Sequence, residues 1–191
     1  MNTVLNEISL ETRRLTLRTP EVIDVAGLWP HMSDASITTF LAWEPHSDQS
    51  RTLSIVESLR QNQIDGIGYH WVIEYESEIV GLVSLIDVRR DHLTWTLNRG
   101  ELAYWIAPEF QGRGFATEAA TAVLRYAFQA LCLEKVRVAH ALENIASQRV
   151  SERLGFRFYA HERRAFRKNS QWHDMIWYDL LRDEFLHLKD I

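Results

Sequence analysis

The chain has 191 residues, 46% of them hydrophobic, and a formal net charge of -5. This length suffices for one domain with a buried core and is short for two, so we expect a single domain over residues 1–191. The acidic balance argues against a nucleic-acid partner, which usually needs a basic face. The lone cysteine, Cys132, excludes an internal disulfide and is predicted to lie in the core. The sequence contains no signal-peptide pattern or bilayer-spanning apolar run, which predicts a soluble cytoplasmic protein with no membrane partner.

The spacing of apolar residues predicts the elements of the first half of the chain. Leu15 and Leu17 alternate with polar neighbours in a strand, and helical spacing follows over residues 21–31. A short helix and a polar loop within "SDASITTFLAWEPHSDQS" precede a longer helix over residues 50–64. "YHWVIEY" and "EIVGLVSLIDV" predict a hairpin whose second strand is central in the sheet, followed by a loop to about Arg99.

The second half of the chain centres on a strand–helix–strand unit. "GELAYWIAP" is predicted to be a strand with Glu101 and Tyr104 on opposite faces. An amphipathic helix over residues 114–131 and the strand "KVRVAHA" follow, which suggests a parallel crossover. Asn144 and Gly155 are the expected cap and stop of the next helix. Two strands joined at "KNSQ" and a short polar tail complete an α+β (α/β mixed-sheet) domain.

The turn "QGRGFATEA" stands where the helix after "YWIAP" must begin. A helix start presents unpaired N–H groups and partial positive charge, which hold a phosphate when no side chain blocks its approach. Gly112 and Gly114 remove those side chains and permit the backbone angles of an anion nest, with Arg113 adding charge at the rim. An isolated glycine pair of this kind is usually an ordinary turn, so its context decides.

That context closely resembles a known family. "ELAYWIAPEFQGRGFATEA", followed by "NIASQRVSERLGF", resembles the GNAT superfamily of acetyl-coenzyme A dependent N-acetyltransferases. "ETRRLTLR", "AWEPHS", "RYAF" and "WHDMIWYDLL" narrow the resemblance to the branch of ribosomal-protein serine and alanine N-terminal acetyltransferases. The resemblance implies a twisted, mostly antiparallel sheet with one splayed parallel strand pair and flanking helices. It also implies acetyl-coenzyme A as donor and a primary amine, foremost a protein N-terminal α-amine, as acceptor.

The resemblance further implies where the donor binds. The pantetheine arm is expected to enter the splayed gap and pair with the Ile106 end of the strand, and the pyrophosphate to sit on the backbone of residues 111–116. Asn144 is expected to contact the pantetheine arm, although a helix cap is an equal reading of the same side chain. The cofactor-binding residues are then Ile106, Gln111, Gly112, Arg113, Gly114, Phe115, Ala116, Thr117 and Asn144.

An amine acceptor requires a base, because α-amino and lysine groups have reference pKa values of ~7.7 to 8.0 and ~10.4. Glu101 is the candidate, since its strand lies beside the expected acetyl site and burial raises a carboxyl pKa. The alternative is a strand-start carboxylate paired with a base such as Arg99. For reprotonation of the leaving thiolate the branch points to Ser147, with Ser151 second, and both are also ordinary polar positions on a helix.

Several alternatives stay open at this stage. Tyr159 and Ala160 stand where the branch has a Glu-Gly pair, so any role of that glutamate does not carry over. The acidic chain is expected to attract a basic peptide end, with the "AWEPHS" loop and the terminal hairpin around Trp172 lining its channel. The acceptor is alternatively a small polyamine or an antibiotic amine, and a non-catalytic acyl-coenzyme A sensing module is a further reading. No metal-ligand pattern is present, and both a monomer and a homodimer fit. Three histidines are further candidate proton carriers: His140, His161 and His173.

Overall fold

A computed structural model describes residues 7–187, so residues 1–6 and 188–191 of the predicted domain lie outside the described part. The strands are β1 (Ser9–Glu11), β2 (Thr16–Arg18), β3 (Tyr69–Tyr75), β4 (Glu78–His92), β5 (Trp95–Ile106), β6 (Lys135–Ala141), β7 (Arg157–Lys168) and β8 (Gln171–Leu181). The helices are α1 (Val25–Met32), α2 (Ala35–Thr38), α3 (Gln49–Ile64), α4 (Phe115–Arg125), α5 (Ile145–Arg153) and α6 (Arg182–His187).

The eight strands form one sheet in the order β1–β2–β3–β4–β5–β6–β8–β7. Within residues 7–187 only the β5–β6 pair is parallel, and the other neighbouring pairs are antiparallel. Helix α4 forms the crossover between the parallel strands. The predicted single α/β domain, with a mostly antiparallel sheet and one parallel pair, is confirmed.

Apolar side chains are buried on both faces of the sheet. One face packs against α4 through residues such as Val123, and the other packs against α1 and α3 through residues such as Val56. Alternation along β5 sends Leu102 and Ile106 to the first cluster and Trp105 to the second. The predicted facing of this strand is therefore confirmed, and Glu101 lies on the α1–α3 face by the same alternation.

The structure corrects the expected loop before Arg99. Strand β4 runs to His92 and β5 begins at Trp95, so most of that segment is a long hairpin. Leu93, Trp95 and Leu97 alternate with polar residues here, but side chains from Asp91 to Thr96 are exposed, so this alternation does not mark a buried face of the sheet. Hydrogen bonding between the two strands, rather than burial, defines this part of the sheet.

Two further expectations, the polar tail and a buried Cys132, were wrong, whereas the helix predicted over residues 114–131 is confirmed with a π-helical last part. The predicted polar tail is helix α6, whose single buried anchor, Phe185, packs on Phe128 at 5.2 Å between ring centroids. Helix α4 ends at Arg125 and continues as a π-turn over Tyr126–Ala130. Cys132, which follows that turn with a positive φ of 53°, is exposed. Among the helices of residues 7–187, none is both long enough and apolar enough to cross a membrane.

Candidate active site

The parallel strands β5 and β6 separate partway along their length. Their ladder runs from Arg99–Lys135 to Leu102–Val138 and stops there. Beyond it, β5 continues beside β4 as far as Ile106, and β6 continues beside β8 to Ala141. The result is a gap through the sheet, with one unpaired backbone edge on each strand within the described residues. An extended ligand can pair with such an edge.

The C-terminal end of β5, at Ile106, lies at the mouth of this gap. The N–H of Ala107 donates to the Val80 carbonyl at 2.9 Å, on the β4 side. Residues alternate direction along a strand, so the polar groups of Ile106 face the gap. The Gln111 amide confirms this direction, because its Nε2 donates to the Ile106 carbonyl at 2.9 Å. Ile106 and Gln111 therefore lie together at the mouth of the gap.

Helix α4 begins next to this mouth with a bare N-terminus. Its N-cap, Gly114, has a φ of 81° and supplies no side-chain cap, and Gly112 has a φ of 73°. A Cβ added at Gly112 would meet nothing within 4 Å. The glycines are thus required by backbone angle rather than by crowding inside the protein, and they leave the helix N–H groups open to an anion.

Side chains around the turn hold its shape. Arg113 lies over three rings, those of Tyr75 at 4.7 Å, Phe110 at 5.5 Å and Phe115 at 4.8 Å. Phe115 itself is buried in the core, so only its backbone can contact a ligand. Ala116 also packs against the core. Aromatic contacts of this kind attract a guanidinium and fix its position.

Glu118, one turn into α4, ties the helix start to the β1–β2 turn. It accepts hydrogen bonds from Thr12 at 2.8 Å and from the backbone N–H of Arg14 at 2.8 Å, and it pairs with the Arg14 guanidinium at 2.7 Å. Burial alone would raise the pKa of Glu118, but the hydrogen bonds from Thr12 and Arg14 together lower it. The carboxylate is therefore held charged beside the turn that contains Gly112 and Gly114.

An open cavity of about 500 Å³ adjoins the first turns of α4. Its walls include Gly114 and Thr117 of α4, together with Arg153 at the end of α5. The Thr117 hydroxyl is buried and has no hydrogen-bond partner in the described part of the chain. An unsatisfied donor beside a bare helix start suits the phosphate-bearing end of coenzyme A. The residues present therefore fit this donor.

Helix α5 brings a serine hydroxyl to the gap. Asn144 caps the helix by accepting from the Ser147 N–H at 3.1 Å. The Ser147 Oγ lies 2.9 Å from the hydroxyl of Tyr104 on β5. Ser151 is buried and donates its hydroxyl to the Ser147 carbonyl at 3.1 Å. Of the two serines, only Ser147 has a hydroxyl that is hydrogen-bonded to β5, at a position where β5 no longer pairs with β6.

Tyr104 is the site residue that the sequence analysis did not single out. Burial raises the pKa of Tyr104 to about 12, with the Ser147 hydrogen bond opposing the shift. The alternation of β5 already placed this side chain opposite Glu101, on the face that α4 covers. Its contact with Ser147, 43 residues away in sequence, carried no sequence signal.

Glu101 lies on the opposite face, next to the last rung before the gap. Its Oε2 is 3.2 Å from Arg137, which also contacts Asp87 at 3.3 Å. The ion-pair partner is thus Arg137 and not Arg99, because Glu101 and Arg137 are directly paired across the ladder. Burial raises the pKa of Glu101, Arg137 opposes this, and Asp87 adds to it.

The position that departs from the branch lies near the same cluster. The Tyr159 hydroxyl interacts with Arg137, and burial is the main cause of its raised pKa. The Arg137 guanidinium also lies 5.2 Å from the centre of the Trp177 ring. At this position the chain has the neutral hydroxyl of Tyr159 beside Glu101 and Arg137, in place of the glutamate of the branch. Glu101 is paired with Arg137 on the rung next to the last before the gap.

The three candidate histidines have separate environments. His140 is buried and stacks on Tyr178, with ring centroids 5.5 Å apart. His161 contacts Asp174 at 2.7 Å, and His173 lies 3.6 Å from Glu143. Within residues 7–187 there is no group of three or more His, Cys, Asp or Glu side chains arranged to hold a metal ion.

Comparisons with known proteins agree with this geometry. Residues 14–157 match a family model described as "Acetyltransferase (GNAT) domain". The chain is 32% identical over 146 residues to "Putative ribosomal N-acetyltransferase YdaF" of Bacillus subtilis (strain 168), which covers 76% of this chain and 77% of that protein. It is 28% identical over 176 residues to "Spermidine N(1)-acetyltransferase" of Vibrio cholerae serotype O1, covering 91% of this chain and 96% of that protein.

The fold is also similar to solved structures. One of them is described as "RimL- Ribosomal L7/L12 alpha-N-protein acetyltransferase in complex with Coenzyme A". It superposes with a TM-score of 0.84 and covers 93% of this chain and 99% of that chain. The sequence identity is 20%, so this likeness shows a shared fold.

Proposed function

This chain belongs to the GNAT acetyltransferase family, and from that premise we propose that it acetylates a protein N-terminal α-amine with acetyl-coenzyme A. The family is one of enzymes that transfer acetyl groups to amines. The gap between β5 and β6 carries the proposal for this chain, since it lies between a bare helix N-terminus and the Tyr104–Ser147 pair. The proposed setting is the cytoplasm, where ribosomal proteins are made.

The donor is proposed to bind along the gap. The edge of β5 at Ile106 pairs with the pantetheine arm, and the backbone of residues 111–117 holds the pyrophosphate. The Asn144 Oδ1 caps the helix, and its side-chain NH₂ group is proposed to donate to the pantetheine arm. The donor supplies an acetyl group already activated as a thioester, and no metal is needed for that activation.

The catalytic groups are proposed to act from opposite faces of the sheet. Glu101, on the α1–α3 face, removes a proton from the incoming amine, and the amine nitrogen bonds to the acetyl carbon. The carbon–sulfur bond then breaks, and Ser147 on the α4–α5 face donates a hydrogen bond to the departing sulfur. Transfer is direct, with no acetyl-enzyme, because alignment of thioester and amine supplies much of the rate gain.

The choice of an α-amine rests on two observations. The relative YdaF is named as a ribosomal N-acetyltransferase. An α-amine, with a reference pKa of ~7.7 to 8.0, also gives up its proton to a carboxylate more readily than a lysine-like amine near ~10.4. A polyamine is the second candidate, because the Vibrio cholerae relative is named as a spermidine acetyltransferase.

One screen separates these acceptors. Thiol release from acetyl-coenzyme A is followed with ribosomal-protein N-terminal peptides, the same peptides with a blocked N-terminus, and spermidine. We expect release with the free peptides and none with the blocked ones. Release with spermidine alone favours the second candidate. Binding of acetyl-coenzyme A without release from any amine favours the sensing module, and absence of binding refutes the proposed donor.

A further inference from the structure

The Tyr104–Ser147 contact has a chemistry of its own. Ser147 is fixed through its N–H, which donates to Asn144, and through its carbonyl, which accepts from Ser151. Its hydroxyl is paired with Tyr104 at 2.9 Å. The contact joins the unpaired part of β5 to the first turn of α5, at the point where the two strands have separated.

The direction of this hydrogen bond decides what Ser147 can do. A serine hydroxyl has one proton, so a serine that donates to Tyr104 has none left for a ligand in the gap. If Tyr104 donates instead, the Ser147 proton is free. Resting on the proposed function, we propose that Tyr104 is a positioning residue that donates to the Ser147 Oγ and thereby directs the Ser147 proton at the sulfur of coenzyme A.

The acidities of the groups limit this role to hydrogen bonding. Burial raises the pKa of Tyr104 to about 12, so its hydroxyl remains protonated and able to donate across the neutral range. A thiol has a reference pKa of ~8.5, so a thiolate does not take the proton of a tyrosine of this kind to completion. The pair therefore stabilises the electron pair left on sulfur when the carbon–sulfur bond breaks. Water supplies the proton that finally neutralises the thiolate, while the proton of the amine leaves through Glu101.

The kinetic test is a double-mutant cycle of Tyr104→Phe and Ser147→Ala. Each single variant should lower kcat about tenfold with little change in KM for acetyl-coenzyme A, as expected for one hydrogen bond to a charged atom. The double variant should be no slower than Ser147→Ala, because Tyr104 acts through that serine. Multiplied losses in the double variant, or a change confined to KM, would overturn the proposal.

A matched control exists in the same core. Burial also raises the pKa of Tyr126 to about 12, and this side chain packs against Tyr69 and Trp71 on β3. The Tyr126→Phe variant therefore measures the loss of a partly buried phenol hydroxyl away from the proposed site. It should keep the wild-type kcat, and thermal unfolding of each variant establishes that it is folded.

A binding measurement tests the same contact without turnover. Calorimetry compares coenzyme A with desulfo-coenzyme A at pH 9, where a larger fraction of the thiol is ionised than at pH 7. Wild type and Tyr126→Phe should bind coenzyme A several-fold more tightly than the desulfo analogue, and Tyr104→Phe and Ser147→Ala should lose that preference. A preference retained by Tyr104→Phe refutes the role of Tyr104 even if the enzyme is active. Wild type that shows the preference but acetylates no amine refutes the proposed function alone, and wild type that binds neither molecule refutes both.

Discussion

Replacing Gly112 with alanine should weaken coenzyme A binding more than it weakens the fold. A Cβ at this position meets no protein atom within 4 Å, so its only cost within the free protein is the positive φ of 73°. A residue with a Cβ in the left-handed region costs about 1–2 kcal/mol. For a chain of this size that lowers Tm by roughly 2–8 °C.

Donor binding adds a second cost at the same position. The open space beside Gly112 is where we place the pyrophosphate, so the methyl group would displace it from the helix N-terminus. Loss of one hydrogen bond to a charged group costs about 1.5–3 kcal/mol, which corresponds to about a 10- to 150-fold weaker Kd. Calorimetry with coenzyme A measures this directly.

Gly66 offers a matched control. It has a φ of 70°, follows α3, and a Cβ there also meets nothing within 4 Å. Gly66→Ala should therefore lower Tm about as much as Gly112→Ala while leaving the affinity for coenzyme A unchanged. Equal affinities in the two alanine variants would show that the glycine pair is an ordinary turn and would refute the proposed anion site.

Three further predictions concern charged groups. Glu101→Gln should lower turnover by about 10²- to 10⁴-fold. Burial raises the pKa of Glu101 and the base must be ionised, so wild-type kcat/KM should fall as the pH drops through that pKa. A variant that still loses activity at acidic pH in the same way would refute the assignment. Glu118→Gln should lower Tm at pH 7. Because the pKa of Glu118 is lowered in the folded chain, the Tm difference between wild type and variant should shrink as the pH falls below the ordinary value of 4.5. A Tm difference that stays constant with pH would contradict this. Lys168→Met should raise KM for the acceptor but not for acetyl-coenzyme A. Lys168 donates to the carbonyls of Leu41 and Trp43 and so joins the "AWEPHS" loop to the β7–β8 hairpin. Unchanged amide exchange in that loop in the variant would argue against this link.

Local patterns predicted much of the fold. The strand "KVRVAHA" was predicted with its observed bounds, and the "KNSQ" turn joins β7 and β8 as expected. Asn144 caps α5 as its residue type indicates. Each of these features depends on neighbours within a few positions, where apolar spacing and capping chemistry act directly.

The site contacts depend on register and could not be predicted in the same way. Glu101 and Arg137 are 36 residues apart and meet only because β5 and β6 pair at that rung. Arg99, the partner expected from the sequence, is close to Glu101 along the chain but does not form this ion pair. Likewise, nothing in "NIAS" indicates that Tyr104 will meet Ser147, because the two residues are 43 positions apart and lie on different elements.

The four rungs between β5 and β6 also form a boundary line through the sheet. On one side lie β1 to β5, and on the other lie β6, β8 and β7, so the short ladder is the main backbone connection between two parts of one sheet. A pantetheine arm bound in the gap would contact both strand edges and so connect the two parts of the sheet. Saturating coenzyme A at a hundred times its Kd should then stabilise the folded chain by about 2.7 kcal/mol and slow amide exchange on both edges of the gap together.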